Sequence, residues 1–573
     1  MKKTKIIIGI LFILLGMLKV QAQEEFPKTY FGSPLDEELM VTGSFGELRS
    51  HHLHSGIDLK TDHEGKKVFA AAGGYVSRIK ISTGGFGKAI YITHPNGFVT
   101  VYAHLSQYAP AIEAFVREQQ YKKESFEIEL FPTPFQFPIL KSDLIAFSGN
   151  TGGSEAPHLH FEVRNATTED IVNPILFGFK IKDTEAPKIE QLIIYPYGRK
   201  SMINEKSMPL KCQIEKDKNG IYQIKNQKDI QITGPVYLGI ESHDIEEKNN
   251  SVNGIYSINL SADGETIYAS EMKSFSFSVS RFVDAHVDYA EKLKNKADIQ
   301  LCMLRPNNKL PIYSKVLKKG ILEYTQAGKH HIQLLVKDAY GNSSRLKFDL
   351  NILPFNSTKM GFEKEEKCTL KWGFQQVNHF QEGSLTIDIP AFSLYDSLCF
   401  NYGGKMKRKE FLSDVYKIHD IYTPMQIPME ISINANIPEA FRDKVLLGRL
   451  DENGEIISEG GNWADGRIKT KSRHFGDYGI VIDTVAPIIT PLVLGEAKSP
   501  KIKIKIQDTL SGIKSYRGTI DGNWILMEYD EKNRMLVYAY DQQIPAGKHI
   551  FNLTVFDNKN NVSTLEKVIY FEK

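Results

Sequence analysis

From residue 180 onward the chain repeats itself, and what repeats is strand and turn. Asp183-Thr184-Glu185-Ala186-Pro187 returns as Asp483-Thr484-Val485-Ala486-Pro487. Ala327-Gly328-Lys329-His330-His331-Ile332-Gln333-Leu334 returns as Ala546-Gly547-Lys548-His549-Ile550-Phe551-Asn552-Leu553, and Asp338 before Asn342 is echoed by Asp557 before Asn561. Self-similarity on this scale marks related structural units, not one continuous core. Both copies alternate apolar and polar residues, most clearly from Lys501 to Ile506, so that each strand has one face to bury. Two related β modules are expected, at 183–352 and 483–573, the first lengthened by insertions around 190–230 and 275–320. At roughly 100 to 200 residues per folded unit, a chain of this length holds three to five of them.

The turn-punctuated alternation of the two repeats is the habit of an immunoglobulin-like β-sandwich. Between them, residues 360–482 contain strand-like runs at 385–389 and 429–433 and resemble a ZU5-type β module. The fold class expected for the whole chain is therefore all-β dominated: an antiparallel β domain at the N-terminal side followed by several β-sandwich modules.

Lys2, Lys3 and Lys5, an apolar run from Ile6 to Leu18, and the small residues around Ala22 read as a signal peptide over 1–22, with a mature start at Gln23. The apolar run is shorter than the ~20 residues that span a bilayer, and no later run is longer. No Cys follows the cleavage site to carry a lipid. An exported protein of the periplasm or cell surface is expected, without a stable transmembrane span. Lys+Arg number 71 against 69 Asp+Glu, a net +2 that argues for neither nucleic acid nor an anionic membrane as partner. Cys212, Cys302, Cys368 and Cys399 form no close pair, so no metal knuckle or redox motif is present. An oxidising compartment permits a disulfide, with buried thiols equally open.

Residues 38–178 are rich in Gly and short alternating strands. A hairpin is expected from Lys88–Thr93 and Phe98–Ala103 around His94-Pro95-Asn96-Gly97, where Pro presets one dihedral and Gly supplies a positive φ. The second strand runs into His104. Residues 111–124 are the one helical candidate, followed by an aromatic, Pro-rich stretch at 131–138 that reads as an inserted flap or edge. His54-Ser55-Gly56-Ile57-Asp58 enters a strand through a turn. In the β-prone run around His158-Leu159-His160, side chains two apart leave the same face, so both histidines line one groove.

Two neutral imidazoles and one carboxylate suit a catalytic zinc, because three ligands leave one tetrahedral corner for water. The metal lowers the pKa of that water to about 7 and polarises a carbonyl, and further histidines outside the coordination sphere can move its proton or stabilise an oxyanion.

Phe45-Gly46-Glu47-Leu48-Arg49, His54-Ser55-Gly56-Ile57-Asp58, Val68 to Val76, Tyr102-Ala103-His104-Leu105-Ser106, and Ser148-Gly149-Asn150-Thr151-Gly152-Gly153 before Pro157-His158-Leu159-His160-Phe161-Glu162 resemble, in order and spacing, the motifs of the M23 (lysostaphin-like) zinc peptidases. The resemblance covers residues 38–178. It implies a mostly antiparallel β groove within a domain at 23–180, and one zinc held by His54, Asp58 and His160. It also implies His104 and His158 as the unligated catalytic pair, and endopeptidase cleavage of peptidoglycan stem or cross-link peptides. The stretch 111–138 is longer than the family pattern and is expected to reshape or cover the groove.

His51, His52, His63 and His94 have no motif support and read as surface or loop residues. Gly84-Gly85-Phe86-Gly87 leads into a strand, where a phosphate cradle opens a helix, and so reads as a turn. Arg49 and Asn150 lie near the groove, with structural and substrate roles equally open. Two alternatives stand beside the zinc endopeptidase: a catalytically silent scaffold that binds peptidoglycan or an envelope protein partner through its β modules, and a peptidase for protein substrates.

Overall fold

The computed structural model describes residues 26–198, 200–226, 229–246, 250–354, 368, 370–496, 499–540 and 544–571. The signal-peptide reading at 1–22 lies outside the described residues. The N-terminal domain is organised around one antiparallel sheet. Its strands are β1 (Val41–Gly43), β2 (Ile57–Lys60), β3 (Gly74–Ile81), β4 (Lys88–Thr93), β5 (Phe98–Leu105), β6 (Ile128–Leu130) and β7 (His158–Asn165). Across the sheet they run β1-β2-β7-β5-β4-β3-β6. The β4–β5 hairpin forms as the alternation of its residues dictates, with Gly97 at φ 84° in the turn. Strand β7 is nearly all buried, and Leu159, Phe161 and Val163 pack on one side of it into the domain core. Its other face is left to the histidines.

Helix Pro110–Lys123 begins with Pro in its first turn and ends on Glu124 in the left-handed region. Of the two readings of the long stretch that follows, flap or edge, the structure shows the edge, and the stretch does not cover the groove. Ile128–Leu130 and Pro138–Ile139 pair with β3, at the sheet edge remote from β2 and β7. The inserted helix instead meets the last module: Tyr121 packs edge-on against Trp524, and Glu124 pairs with Arg517 at 2.6 Å.

The remaining chain is β throughout. Residues 188–352 wrap strands around an aliphatic core that includes Leu192, Ile240, Leu260 and Leu334. Residues 370–482 place a core between two five-stranded sheets, and 488–571 place one between two four-stranded sheets. Cys368 and Cys399 form a disulfide, whereas Cys212 and Cys302 are buried thiols; burial pushes the Cys302 thiol up to about 12. Among the described residues no helix is long and apolar enough to cross a membrane.

The units are not strung loosely. Short helices at Phe277–Ser280 and Val283–His286 lie in the first repeat, yet Phe282, Val283 and Ala285 are buried in the N-terminal domain's core. Ser274–Phe275 pairs with Ile171–Val172, which itself pairs with β7. The last module returns to the same domain, where Lys88 Nζ meets Glu528 at 3.0 Å.

Candidate metal centre

Cross-strand register assembles the site. On β2 and β7, Asp58 stands directly opposite His160, so the two side chains share a face. His158, two residues before His160, leaves the same face. Gly56, just before β2, lets the chain pass under β7: a Cβ there would lie 2.4 Å from the Phe161 carbonyl oxygen and 2.9 Å from the His160 ring. Gly43 on β1 makes room in the same way, since its Cβ would meet Asp58 Oδ2 at 2.5 Å.

His104 arrives by a different device. Ile90 pairs with Tyr102 and Lys88 with Leu105, so Ala103 and His104 together oppose Ala89 alone. This β-bulge puts His104 at φ 57°, a left-handed conformation that costs a side-chain-bearing residue about 1–3 kcal/mol and re-aims its ring. The bulge is pinned by the His104 N–H donating to the Phe86 carbonyl at 3.0 Å.

The atoms converge closely. His54 Nε2 lies 3.1 Å from Asp58 Oδ1 and 3.1 Å from His160 Nδ1, and His160 Nδ1 is 2.9 Å from Asp58 Oδ1. His158 Nε2 is 3.3 Å from the same oxygen. The His104 ring sits 4.8 Å from that of His158 and 5.7 Å from that of His160. All five sequence-derived site residues are thus brought together.

Hydrogen bonds on the outer side of each ring assign its tautomer. His54 Nδ1 donates to the Ser44 carbonyl, His104 Nδ1 to that of Thr151 and His158 Nδ1 to that of Ala156, each at 2.8 Å. His160 Nε2 donates to Glu162 Oε1 at 3.1 Å. With those protons directed outward, every inward nitrogen carries a lone pair, and lone pairs 3 Å apart beside a carboxylate repel unless a cation or a proton lies among them. Electrostatics express the same demand. Burial alone would lower His160, but its bonds to Asp58 and Glu162 outweigh it and raise the ring to about 9. Burial likewise opposes Asp58, yet the His54 charge and bonds from His158, His160 and His54 hold its carboxyl well below the usual carboxylate range. Burial, then the charges of His160 and His158, depress His104 to about 3, leaving it neutral. His54, Asp58 and His160 form a group whose ligand atoms all lie within 4.8 Å of one another. Two imidazole nitrogens and one carboxylate oxygen, oriented by outer hydrogen bonds, fit a metal ion.

Three supporting residues were not singled out from sequence. Glu162 is fully buried and bridges His160 to Arg164, whose Nε donates to Glu162 Oε2 at 2.6 Å. The signal was the period of two itself, because positions 158, 160 and 162 share a strand face. Arg164 is covered by Phe277 of the first repeat, 4.8 Å from the guanidinium to the ring centre. Phe86, in what read as a plain turn, stacks on His160 at 5.1 Å. Arg49 donates to Asp58 Oδ2 at 3.2 Å, turning Oδ1 toward the histidines. Asn150 offers its carbonyl to Lys532 of the last module, and Ser154 does so at 2.7 Å.

Two of the histidines that read as surface or loop residues do lie in turns, but their rings are engaged. His94 is buried, bonded to the Gly73 carbonyl and Thr100 Oγ1 at 2.8 Å each, because the hairpin turn folds under Phe31. His51 meets the buried Asp284 at 2.9 Å, an interface the chain forms only on folding.

The sequence pattern of peptidase family M23 matches residues 52–121, which include His54, Asp58 and His104. The chain carries a peptidase family M23 domain. A "Zu5-like domain" pattern matches 369–483. An "uncharacterized metalloprotease" of Haemophilus influenzae is 30% identical over 148 residues, 25% of this chain and 26% of the relative. A "DD-carboxypeptidase/endopeptidase Mpg" of Neisseria meningitidis is 34% identical over 128 residues, 22% of this chain and 23% of the relative. The chain thus spans about a quarter of the length of the curated relatives it matches. The crystallised catalytic domain of lysostaphin from Staphylococcus simulans is 23% identical, covering 23% of this chain and 87% of that one, with a TM-score of 0.18.

Proposed function

We propose that this protein is an exported zinc endopeptidase that hydrolyses peptide bonds in the stem or cross-link peptides of bacterial peptidoglycan. The observation that carries the reading is the convergence of four outward-anchored imidazoles around Asp58 within an M23 domain. The names of the relatives, a metalloprotease and a DD-carboxypeptidase/endopeptidase, support a metal-dependent peptidase and a wall peptide as its substrate. His54, Asp58 and His160 would hold the metal. Bound there, zinc supplies an acidified water and a Lewis acid toward the scissile carbonyl.

The chain's own residues divide the remaining work. Glu162 and the Ser44 carbonyl hold His160 and His54 in the tautomers that face inward. Arg49 holds Asp58 from behind. His104 and His158, anchored through Nδ1, turn their Nε2 atoms toward the site, positioned to take a proton from the attacking water and to return it to the leaving amine. His158 is the more exposed of the pair, with 15% of its side chain accessible, whereas His104 is buried. An intact set of this kind supports catalysis over a silent binding scaffold.

The test is digestion of purified peptidoglycan by residues 23–573, with products identified by mass spectrometry. New cross-link or stem-peptide products are expected from the wild type. His160→Ala should lose both zinc and products, and His158→Ala should lose products while keeping zinc. Undiminished products from both variants would refute the assignment.

A further inference from the structure

Where the first repeat meets the M23 domain lies a second cluster of ionisable groups, chemically unlike the first. Asp183 precedes strand Lys188–Pro196, Asp244 lies on Val236–Glu246 and Asp338 follows Gly328–Lys337. Their carboxylates each offer an oxygen within 4.8 Å of the others, in a cavity also lined by Ser44, Asn253 and Tyr340. None of the three aspartates makes an ion pair with Lys, Arg or His among the described residues. Asp338 is satisfied by the backbone N–H groups of Tyr340, Gly341 and Asn342 at 2.7–2.9 Å. Apart from a carboxyl–carboxyl bond between Asp244 and Asp183, Asp244 Oδ1 and Asn253 Oδ1 meet no hydrogen-bond partner among the described residues, although the two residues are only 4% and 7% exposed. A neutral amide oxygen thus joins the carboxylates in presenting a lone pair to the same cavity. Burial, followed by the charges of Asp183 and Asp338, pushes the Asp244 carboxyl up to about 8.

The last module provides an internal comparison. Lys188 pairs with His243 and Ile488 with Gln507, so Asp244 and Asp508 occupy equivalent places. Asp483, Asp508 and Asp557 form the matching triad, and Asp508 Oδ1 is again unpartnered among the described residues. There, however, the position of Tyr340 is taken by Lys559, a buried lysine whose charge is opposed by burial and favoured by Asp443, Asp483 and Asp557. One copy of the triad keeps a cation from its own chain close by. The other has a tyrosine there.

We propose that the Asp183–Asp244–Asp338 cavity, with Asn253 Oδ1, is a binding site for a hard divalent cation of the calcium class, which locks the first repeat onto the M23 domain. The donors are all oxygen, with no imidazole or thiolate to favour zinc, and they mix carboxylate with amide oxygen as calcium sites do. The site is mechanically close to the metal centre. Ser44 Oγ accepts from the Gly254 N–H at 2.8 Å beside Asn253, and the Ser44 carbonyl orients His54. The inference stands independently of the catalytic reading.

The test uses the full chain loaded with zinc and freed of calcium, probed with terbium, whose emission a nearby Tyr340 sensitises. Terbium emission should appear, should be displaced by calcium chloride and not by added zinc, and calcium should raise the melting temperature saturably. Half-saturation is expected at about 10⁻⁴–10⁻³ M, the range of extracellular modules. Asp244→Asn should abolish emission and the calcium-dependent shift while melting no lower than wild type in calcium-free buffer, since a neutral amide keeps the shape of a side chain whose charged form burial, Asp183 and Asp338 already oppose. Asn253→Ala should raise the half-saturating calcium concentration, and Asp508→Asn should leave it unchanged. A wild type that ignores calcium, or an Asp244→Asn chain that responds as wild type does, would overturn the proposal and leave the triad as carboxyls sharing protons.

Discussion

Replacing Glu162 by Gln tests whether the metal centre is set from behind. Glu162 accepts on both oxygens at once, Oε1 from His160 Nε2 at 3.1 Å and Oε2 from Arg164 Nε at 2.6 Å, with the Ser55 side chain as a further partner. A Gln of the same shape has one oxygen and one NH₂ group, so it can satisfy only one donor and must point hydrogens at the other. If it serves Arg164, His160 loses the acceptor that fixes its tautomer, and zinc affinity should fall about 10- to 100-fold, or roughly 1.4–2.7 kcal/mol. If it serves His160, the guanidinium is left unpaired where Glu162 is fully buried and Arg164 7% exposed. Removing one partner of such a pair costs about 3–5 kcal/mol of stability. The two losses can be separated by zinc competition against a chromophoric chelator and by thermal melts at saturating zinc. Adding Arg164→Met removes one of the competing donors, so the double variant should regain much of the zinc affinity that the single one lost. A Glu162→Gln chain that binds zinc within about twofold of wild type and melts at the wild-type temperature would refute the reasoning.

Two further expectations follow from close contacts elsewhere. Gly56→Ala drives a methyl to 2.4 Å from the Phe161 carbonyl and 2.9 Å from the His160 ring, so it should displace β7, weaken zinc binding in the same competition assay and destabilise the domain by about 1–3 kcal/mol. Cys399→Ala opens a disulfide whose partners are 31 residues apart, and should destabilise the Zu5-like module by about 3–4 kcal/mol in a denaturant melt without changing zinc content.

How far the residues themselves declare the site depends on how local its geometry is. His158 and His160 could be read as a pair because a strand repeats every two residues, and the turn at Gly56 brings His54 and Asp58 to one point within five residues. The same period reached Glu162, whose role went unread because a buried Glu on a strand has no distinguishing pattern until its partners are in place. His104 was legible as the end of a hairpin strand, but the bulge that aims it was not, since two residues facing one is a property of the pairing. The insertion at 111–138 was visible as an excess of length. Its place at the far sheet edge was not, because that depends on which strand lends it an edge.

By itself the sequence determined the β architecture, and it displayed the repeated segments and the ordered M23-like motifs, all of which rest on short-range alternation, turn chemistry and repetition. The tertiary structure alone decided that the first repeat buries Phe282 and Val283 in the M23 domain, that the last module grips the 150–154 loop through Lys532, and that Asp183, Asp244 and Asp338 meet in one cavity. Those contacts join residues far apart in the chain, and their energy comes from burial and charge that no local stretch contains.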